Sequence, residues 1–200
     1  MKRPPLRNRL PRSFYDRPTE TVAKELLGTA LLRRIDGNWL GGLIVETEAY
    51  LPIDDPASHS ARGETRSNSS MFARAGTLYV YPIHAKYCLN AVTQSEGLGC
   101  AVLIRAIEPL WGIEVMQGNR GQESLVRLTR GPAMLCQALQ VDRSQDGLDL
   151  VGDRDLLIAS ADGGPLRIAA TPRIGISKAQ NARLRFLLRD NRYVSGKRVP

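Results

Sequence analysis

The sequence predicts a single α+β domain with a largely antiparallel β-sheet and helices inserted between groups of strands. Strand patterns come mostly in neighbouring pairs, which is typical of antiparallel pairing. The length of 200 residues suits one hydrophobic core. No glycine-rich pattern of the Rossmann or P-loop type occurs, so a doubly wound parallel sheet is not favoured.

The N-terminal part of the chain is predicted to contain an arm followed by a helix. Residues 1–17 are rich in proline and arginine, and we expect a flexible basic arm ahead of one domain over residues 18–200. The helix is capped by Thr19 and ends at Gly28. It carries an apolar stripe at helical spacing, formed by Val22, Ala23, Leu26 and Leu27.

A β-hairpin is predicted next, with strands over residues 30–34 and 39–50 around an Asp36-Gly37-Asn38 turn. Residues 51–75 are polar and show no clear periodicity. A loop of that length in a compact domain is usually functional or disordered.

The rest of the chain mixes strands and helices. Strands are predicted over residues 76–81, 87–92 and 101–107, helices over 109–116 and 132–139, and short strands over 156–159, 166–170 and 174–176. Pro132 suits the first position of its helix.

The charge of the chain points to a polyanionic partner. Its net charge is +8. Nucleic acid is the commonest partner of a basic domain of this size, although charge alone is equally compatible with a merely solubilising surface. No apolar run approaches the roughly 20 residues of a membrane helix. The first residues lack the apolar stretch of a secretory signal, so we expect a cytoplasmic protein.

Metal chemistry is not favoured by the composition. The three cysteines are far apart in the sequence, without a Cys-x-x-Cys pair, and the chain has two histidines. Each cysteine sits between apolar neighbours, which favours reduced core thiols. We expect no metal and no other cofactor.

The strand over residues 43–50 carries the most suggestive polar pattern. Alternation places Glu46, Glu48 and Tyr50 on one face, opposite Leu43, Val45, Thr47 and Ala49. A solvated outer face is the more common explanation for glutamates in a strand. The alternative is a general base beside an aromatic wall.

Several other residues also have both a structural and a functional interpretation. Tyr79 and Tyr81 share a strand face, which usually means cross-strand packing and more rarely a platform for a nucleobase. His59 lies in the polar loop, where a histidine is usually exposed. Asn90 and Arg105 are polar residues inside apolar strands, so each is either a satisfied structural group or a specificity contact.

Six segments, taken together in their order along the chain, favour the functional interpretation of these residues. They are residues 45–51 (VETEAYL), 55–60 (DPASHS), 71–81 (MFARAGTLYVY), 88–90 (CLN), 102–109 (VLIRAIEP) and 131–139 (GPAMLCQAL). In this order they resemble the alkyladenine (N-methylpurine) DNA glycosylase family. The likeness runs from the first predicted helix to about residue 189.

The resemblance implies a fold and a set of site residues. The fold is a single mixed domain with a curved antiparallel sheet, without a helix-hairpin-helix motif and without a metal. Glu48 matches the general base, and Arg105 matches a residue that holds the attacking water and the DNA backbone. The base-binding residues would be Tyr50, His59 and Tyr81 as aromatic walls, the backbone amide of His59 at the purine edge, and Asn90, which rejects guanine through its exocyclic amine.

The resemblance also implies a wedge that fills the gap left by an everted base. The family usually inserts a tyrosine from the hairpin that follows Tyr81. Here that position is occupied by His84, or by Ile83 if the turn differs. An imidazole at this position would fill the gap in the stack less well than a phenol.

The implied function is that of a monofunctional DNA glycosylase of base excision repair. It would flip alkylated or deaminated purines (N3-methyladenine, N7-methylguanine, hypoxanthine, ethenoadenine) out of duplex DNA and hydrolyse the N-glycosidic bond with water activated by Glu48, without lyase activity. Its partner would be double-stranded DNA containing damaged purines. We expect a monomer without an obligate protein partner or membrane, associated with the bacterial nucleoid in the cytoplasm. Candidate phosphate contacts are Arg62, Arg66, Arg74, Lys86, Arg120, Arg127 and Arg130, with Arg7, Arg9, Arg192 and Lys197 in the tails.

Two alternatives remain open at this point. A non-catalytic nucleic-acid-binding module would explain the charge and the tyrosines but gives no reason for Glu46 and Glu48 on the tyrosine face. A carbohydrate-directed glycosidase would use those two glutamates as a pair, since their spacing of about 6–7 Å suits that chemistry.

Overall fold

The computed structural model describes residues 4, 8–83 and 85–196. In this part of the chain the strands are β1 (Ala30–Ile35), β2 (Asn38–Tyr50), β3 (Leu78–Ile83), β4 (Lys86–Val92), β5 (Ala101–Trp111), β6 (Leu156–Ala159), β7 (Ile168–Thr171) and β8 (Arg185–Leu188). The helices are α1 (Arg12–Tyr15), α2 (Thr19–Glu25), α3 (Ile113–Arg120), α4 (Leu125–Leu128) and α5 (Pro132–Ala138).

The strands form one curled antiparallel sheet, which confirms the predicted α+β class. The order of its main path is β3-β4-β5-β2-β1-β6, while β8 pairs with both β2 and β7. All strand pairs within the described residues are antiparallel. The long strand β2 is central: it pairs with β5 on one side, and on the other with β1 through its first half and with β8 through its second half.

Two β-bulges lie opposite each other where β2 meets β5. The pairing skips Val45 on β2 and Arg105 on β5. A bulge adds one residue and shifts the alternation of side chains. Val45 was predicted to lie on the face of β2 opposite Glu46. It packs instead in a small separate cluster with Ala106 and Leu187, and it is the preceding residue, Ile44, that belongs to the main core.

Helix α2 covers the face of β2 that lies opposite Glu46 and Glu48. The predicted stripe of Val22, Ala23, Leu26 and Leu27 is buried, with each residue at most 3% exposed. The hydroxyl of Thr47 donates to the carbonyl of Ala23 at 2.8 Å, which ties the strand to the helix. The face of β2 that carries Thr47 therefore packs against the helix and the core, and the opposite face carries Glu46 and Glu48 beside the small cluster that contains Val45.

Several predicted elements are confirmed. The hairpin between β1 and β2 turns through Asp36 and Gly37, both with positive φ (47° and 78°), as a tight hairpin turn requires. The pairing of β3 with β4 is present, β6 has the predicted bounds, and α5 begins with Pro132.

Other expectations were wrong in detail. Pro18, not Thr19, occupies the N-cap of α2, and the Thr19 hydroxyl instead bonds the Thr93 hydroxyl at 2.9 Å. Strand β5 continues through Pro109 to Trp111, so the next helix begins only at Ile113. The strand tolerates Pro109 because β4 pairs only with residues 101–103 of β5, which leaves this end of the strand without a neighbour on that side.

The C-terminal third also differs from expectation. Residues 174–176 form no strand, because the Ile174 amide bonds a side chain instead of a neighbouring strand. Strand β8 had not been predicted. It pairs with both β2 and β7 and carries buried Phe186.

The segment expected to be a flexible arm is packed over its described part. Residues 8–17 include α1, and Tyr15 is fully buried. Arg9 pairs with Ala159 beside β6, and Leu10 donates its amide to the carbonyl of Ile158 at 2.9 Å. This segment adds to the sheet edge and to the core, so it is not a free extension.

Among the described residues no helix combines the length and apolar character needed to span a membrane.

Candidate active site

A cleft of about 940 Å³ opens over the polar face of β2. One wall is the loop that contains His59, and the other is the segment over residues 174–178. The end of the β3–β4 hairpin, including Ile83, forms part of the rim. Residues on its floor come from four strands: Tyr50 from β2, Tyr81 from β3, Cys88 from β4 and Arg105 from β5.

Register explains why these strands contribute neighbouring side chains. Tyr79 pairs with Asn90, Asn90 with Leu103, Leu103 with Glu48, and Glu48 with Arg185. This row crosses β3, β4, β5, β2 and β8 in turn. Side chains of directly paired residues lie on the same face of a sheet. The row therefore brings polar and aromatic side chains side by side on one face, at the same position along the strands.

Three aromatic rings cluster at one end of the cleft. The His59 and Tyr81 ring centroids lie 4.4 Å apart at 76°, and those of Tyr79 and Tyr81 lie 5.6 Å apart at 31°. His59 Nδ1 lies 2.8 Å from the Tyr79 hydroxyl, which fixes the orientation of the imidazole. Loss of water around the ring lowers the pKa of His59 below 6.5, so the imidazole is neutral at pH 7.

A small recess of about 20 Å³ continues the cleft beside these rings. It is lined by Tyr50, His59, Met71, Tyr79, Tyr81 and Asn90. Asn90 is 3% exposed, and its Nδ2 donates to the carbonyl of Tyr79 at 3.0 Å. That bond fixes the amide at the inner end of the aromatic site.

Glu48 is fully buried directly beside the floor of the cleft. Its Oε2 accepts from the Tyr50 hydroxyl at 2.9 Å, and its Oε1 accepts from the backbone amide of Ile174 at 2.8 Å. Arg105 Nη1 approaches Oε1 at 3.2 Å. Since Tyr50, Arg105 and Ile174 all line the cleft, the carboxylate lies just behind its surface.

Glu46 is also fully buried, but its oxygens are taken up by structural contacts. Oε1 accepts from Arg105 Nε at 3.0 Å, Arg185 Nε at 2.6 Å and the Ser195 hydroxyl at 2.9 Å, and Oε2 accepts from the Ser195 amide at 2.7 Å. Burial would lower the pKa of Arg105, but the charges of Glu48 and Glu46 outweigh it and raise the pKa, so the guanidinium stays charged.

A second buried ion pair, between Arg173 and Asp55, lies next to two residues that line the cleft, Ile174 and Pro56. Arg173 Nη1 and Nη2 donate to the two oxygens of Asp55 at 2.7 and 2.6 Å, and Nη1 also donates to the carbonyl of Ala49 at 2.9 Å. The guanidinium lies 4.6 Å from the centroid of the Tyr50 ring. This clamp joins the 51–60 loop to the residue next to Ile174 and thereby fixes the amide that bonds Glu48.

The structure brings most of the sequence-predicted site residues together. Glu48, Arg105, Tyr50, His59, Tyr81 and Asn90 all lie in or directly beside the cleft. Ile83 is 41% exposed at the end of the hairpin, and His84 lies outside the described residues. The common explanation of a solvated outer face is wrong for Glu46 and Glu48, because both are 0% exposed.

Sequence reasoning missed four residues that shape the site. Arg173, Ile174 and Ser195 lie in irregular segments far along the chain, where no periodicity marks them. Arg185 did carry a signal, since it interrupts the apolar run Leu184-Arg185-Phe186 as Arg105 interrupts its own strand. No group of three or more histidine, cysteine or acidic residues in the described ranges is arranged to hold a metal ion.

The chain is similar to a family of known proteins. The family model of methylpurine-DNA glycosylases matches residues 13–192. A relative from Rhodopirellula baltica is 53% identical over 189 residues, which is 92% of this chain and 81% of the relative. Relatives from Methanoculleus marisnigri and Carboxydothermus hydrogenoformans are 46% and 45% identical, over 93% and 94% of this chain and 98% and 99% of their own lengths. All three carry the name "Putative 3-methyladenine DNA glycosylase".

Proposed function

The chain belongs to the methylpurine-DNA glycosylase family, and from this membership we propose a monofunctional enzyme that excises alkylated and deaminated purines from duplex DNA. Its substrates would be N3-methyladenine, N7-methylguanine, hypoxanthine and ethenoadenine. One observation carries the proposal: the buried carboxylate of Glu48 is held between Tyr50, Arg105 and the Ile174 amide at the floor of an aromatic cleft.

Base recognition would depend on stacking in the cleft. Everting a nucleotide costs a few kcal/mol, and stacking on an aromatic side chain returns about 1–3 kcal/mol per base. Tyr50, His59 and Tyr81 supply the rings. A cationic alkylated purine gains further attraction to tyrosine faces. The lowered pKa of His59 helps here, because a neutral imidazole does not repel such a base.

Hydrolysis would use water held by Glu48. A carboxylate offers about four acceptor positions, and three at Glu48 are occupied by Tyr50, Ile174 and Arg105. The remaining position is suited to a water molecule that enters from the cleft. Glu48 would deprotonate this water and stabilise the cationic sugar that forms as the base departs. Arg105, which remains charged, would hold water and substrate in place.

The same mechanism predicts no strand cleavage. Lyase activity needs an amine that forms a Schiff base with the sugar, whereas here the nucleophile is water. Among the described residues Lys178 lines the cleft and Lys86 lies in the hairpin whose end borders it, and both are exposed. We assign them to solvent or phosphate, not to the reacting carbon.

Binding to DNA would follow from the basic surface. Arg62 and Lys178 line opposite lips of the cleft, where the backbone on either side of an everted nucleotide would pass. Five other predicted phosphate contacts also make bonds within the protein: Arg9 with the carbonyl of Val151, Arg74 with Asp149, Arg120 with the carbonyl of Leu128, Arg130 with the carbonyl of Val194, and Arg192 with the hydroxyl of Tyr193. Affinity should fall steeply with salt. We propose a monomer that works on chromosomal DNA in the cytoplasm.

The test is single-turnover release of three of the four proposed bases from defined duplexes. Hypoxanthine, ethenoadenine and N3-methyladenine duplexes are incubated with excess enzyme, and free base is measured by chromatography. Borohydride trapping and untreated gels report any Schiff base or nicking. Release without trapping supports the proposal. Failure to release any of these bases would overturn it, and a trapped covalent adduct would overturn the monofunctional assignment.

The alternatives make different predictions in this experiment. A non-catalytic module would bind the lesions and release none. A carbohydrate-directed glycosidase would cleave oligosaccharides without DNA. The contacts of Glu46 argue against that enzyme, because two arginines and Ser195 occupy the carboxylate that would have to serve as the second member of the pair.

A further inference from the structure

Arg105 is held through all three nitrogens of its guanidinium. Nε donates to Glu46 Oε1 at 3.0 Å, Nη1 approaches Glu48 Oε1 at 3.2 Å, and Nη2 donates to the Ser195 hydroxyl at 3.3 Å. The residue is 6% exposed. A planar fork with three different partners cannot pivot without breaking at least one of these contacts.

Ser195 makes one of these three contacts and supports the acceptor of a second. Its hydroxyl accepts from Arg105 and donates to Glu46 Oε1 at 2.9 Å, and its amide donates to Glu46 Oε2 at 2.7 Å. One serine thus orients both Arg105 and the Glu46 carboxylate that accepts a hydrogen bond from Arg105. Ser195 is not among the residues that line the cleft, so it is not expected to contact an everted base.

The segment around Ser195 is anchored independently of this contact. The Ser195 carbonyl accepts from Arg185 Nη2 at 2.7 Å. Arg130 donates to the carbonyls of Val194 at 2.7 Å and Gly196 at 2.9 Å. Tyr193 and Val194 are buried in the small cluster that also contains Val45. The position of the hydroxyl is therefore set by the fold, not by Arg105.

We propose that Ser195 is a positioning residue for base release, which acts by fixing the guanidinium of Arg105 against Glu48 before DNA binds. This inference rests on the proposed glycosylase activity. It adds to that activity a requirement for the C-terminal segment, which lies 90 positions from Arg105 in the sequence.

The physical reason is preorganisation. Charged groups act strongly on a developing cation only if they need not move during the reaction, and a misplacement of about 1 Å can cost about 100-fold in rate. Without the Ser195 hydroxyl, Nη2 of Arg105 loses its partner and Glu46 loses a donor. Arg105 would keep only its contacts with Glu46 and Glu48, and its guanidinium could then tilt about the Nε bond to Glu46 and change the 3.2 Å approach of Nη1 to Glu48.

The experiment compares Ser195→Ala with a matched loss of another buried hydroxyl. Thr129 is fully buried, and its hydroxyl donates to the Ile107 carbonyl at 2.6 Å, two residues from Arg105 on β5. Both variants lose buried hydroxyl bonds, but Thr129→Val leaves the contacts of Arg105 intact. Single-turnover hypoxanthine release, the Kd for a duplex containing a tetrahydrofuran abasic analogue, and Tm are measured for both.

Ser195→Ala should lower the single-turnover rate about tenfold. Its Kd for the abasic duplex should stay within about twofold of the wild-type value, because binding does not involve Ser195. Thr129→Val should lower Tm to a similar extent and keep the rate within about twofold. A rate for Ser195→Ala within about twofold of wild type would overturn the inference.

A double-mutant cycle separates positioning from general destabilisation. If Ser195 acts through Arg105, Ser195→Ala should change the rate by less than about twofold when Arg105→Lys is already present. An equal tenfold loss in both backgrounds would show that Ser195 does not act through Arg105, and this result would also overturn the inference. Absence of base release by the wild-type protein would instead count against the proposed function itself.

Discussion

The phenol of Tyr50 donates a 2.9 Å hydrogen bond to Oε2 of Glu48, two positions before it on β2. Burial, with the charge and the hydrogen bond of Glu48, raises the pKa of Tyr50 far above its ordinary value of 10.0. The phenol therefore remains a donor throughout the working pH range. The ring proposed to stack on an everted purine and the carboxylate proposed to activate water are thus directly joined.

Replacing Glu48 tests the proposed base. Glu48→Gln keeps the size of the side chain and an acceptor for the Ile174 amide, but it removes the charge. We expect single-turnover base release to fall at least about 100-fold, since general-base catalysis contributes about 10²- to 10⁴-fold. Binding to lesion-containing duplex, measured by fluorescence anisotropy, should persist. The exposed Glu96→Gln is the matched control, and an unchanged rate in Glu48→Gln would exclude Glu48 from the mechanism.

The Arg173–Asp55 clamp should dominate the stability of the cleft wall. Both side chains are at most 1% exposed, so Asp55→Asn leaves a buried guanidinium without its counter-charge. We expect urea titration to show a loss of about 3–5 kcal/mol in the free energy of unfolding. The control is Asp190→Asn in the Arg167–Asp190 pair, whose side chains are 75% and 60% exposed. That change should cost less than about 1 kcal/mol; equal losses would contradict the prediction.

The same carboxylate predicts a pH dependence of stability. Burial alone would raise the pKa of Asp55, but the bonds from Arg173, Leu51 and Ala57 and the charge of Arg173 outweigh it and hold the pKa below 3.8. The folded state binds this proton more weakly than the unfolded state. The stabilisation is therefore fully present above about pH 4 and is lost as pH falls through the folded-state pKa.

Unfolding free energies measured between about pH 6 and about pH 2.5 should show this difference. The wild-type protein should lose stability with falling pH more steeply than Asp55→Asn, which has no carboxyl group to protonate. Parallel curves for the two proteins would refute the assignment of acid sensitivity to Asp55.

Asn90 should control discrimination against guanine. Its amide is fixed by the bond to the Tyr79 carbonyl, so it cannot swing away from an exocyclic amine in the recess. Asn90→Ala should raise the release of N7-methylguanine relative to hypoxanthine by about tenfold. Hypoxanthine, which lacks that amine, serves as the internal control in competition assays. A constant ratio between the two bases would remove Asn90 from specificity.

The hairpin wedge is best tested with paired and unpaired substrates. Ile83→Ala and His84→Ala are compared on hypoxanthine opposite thymine and on hypoxanthine opposite an abasic site, where less pairing must be broken. Truncation of the true wedge should slow release from the paired duplex about tenfold and affect the unpaired substrate much less. Equal slowing on both substrates would indicate a role other than insertion.

Part of this site could be located from local signals, while the roles of its residues were implied by the resemblance to the glycosylase family. Alternation along one strand places Glu46, Glu48 and Tyr50 together, and polar residues inside apolar strands marked Asn90 and Arg105. The local patterns also indicated the hairpins and the helix that begins with Pro132. These features depend on residues within a few positions of one another, and the sequence contains that information directly.

The different surroundings of the two glutamates are decided by tertiary structure alone. Glu46 and Glu48 look equivalent in the sequence, yet Ser195 and Arg185 surround the first, while Tyr50 and the Ile174 amide leave the second beside the cleft. These partners come from up to 149 positions away. Which of them arrives at which carboxylate depends on strand register, on two opposed bulges and on the packing of the C-terminal segment. Each of these is set by contacts across the whole fold and has no local pattern in the chain.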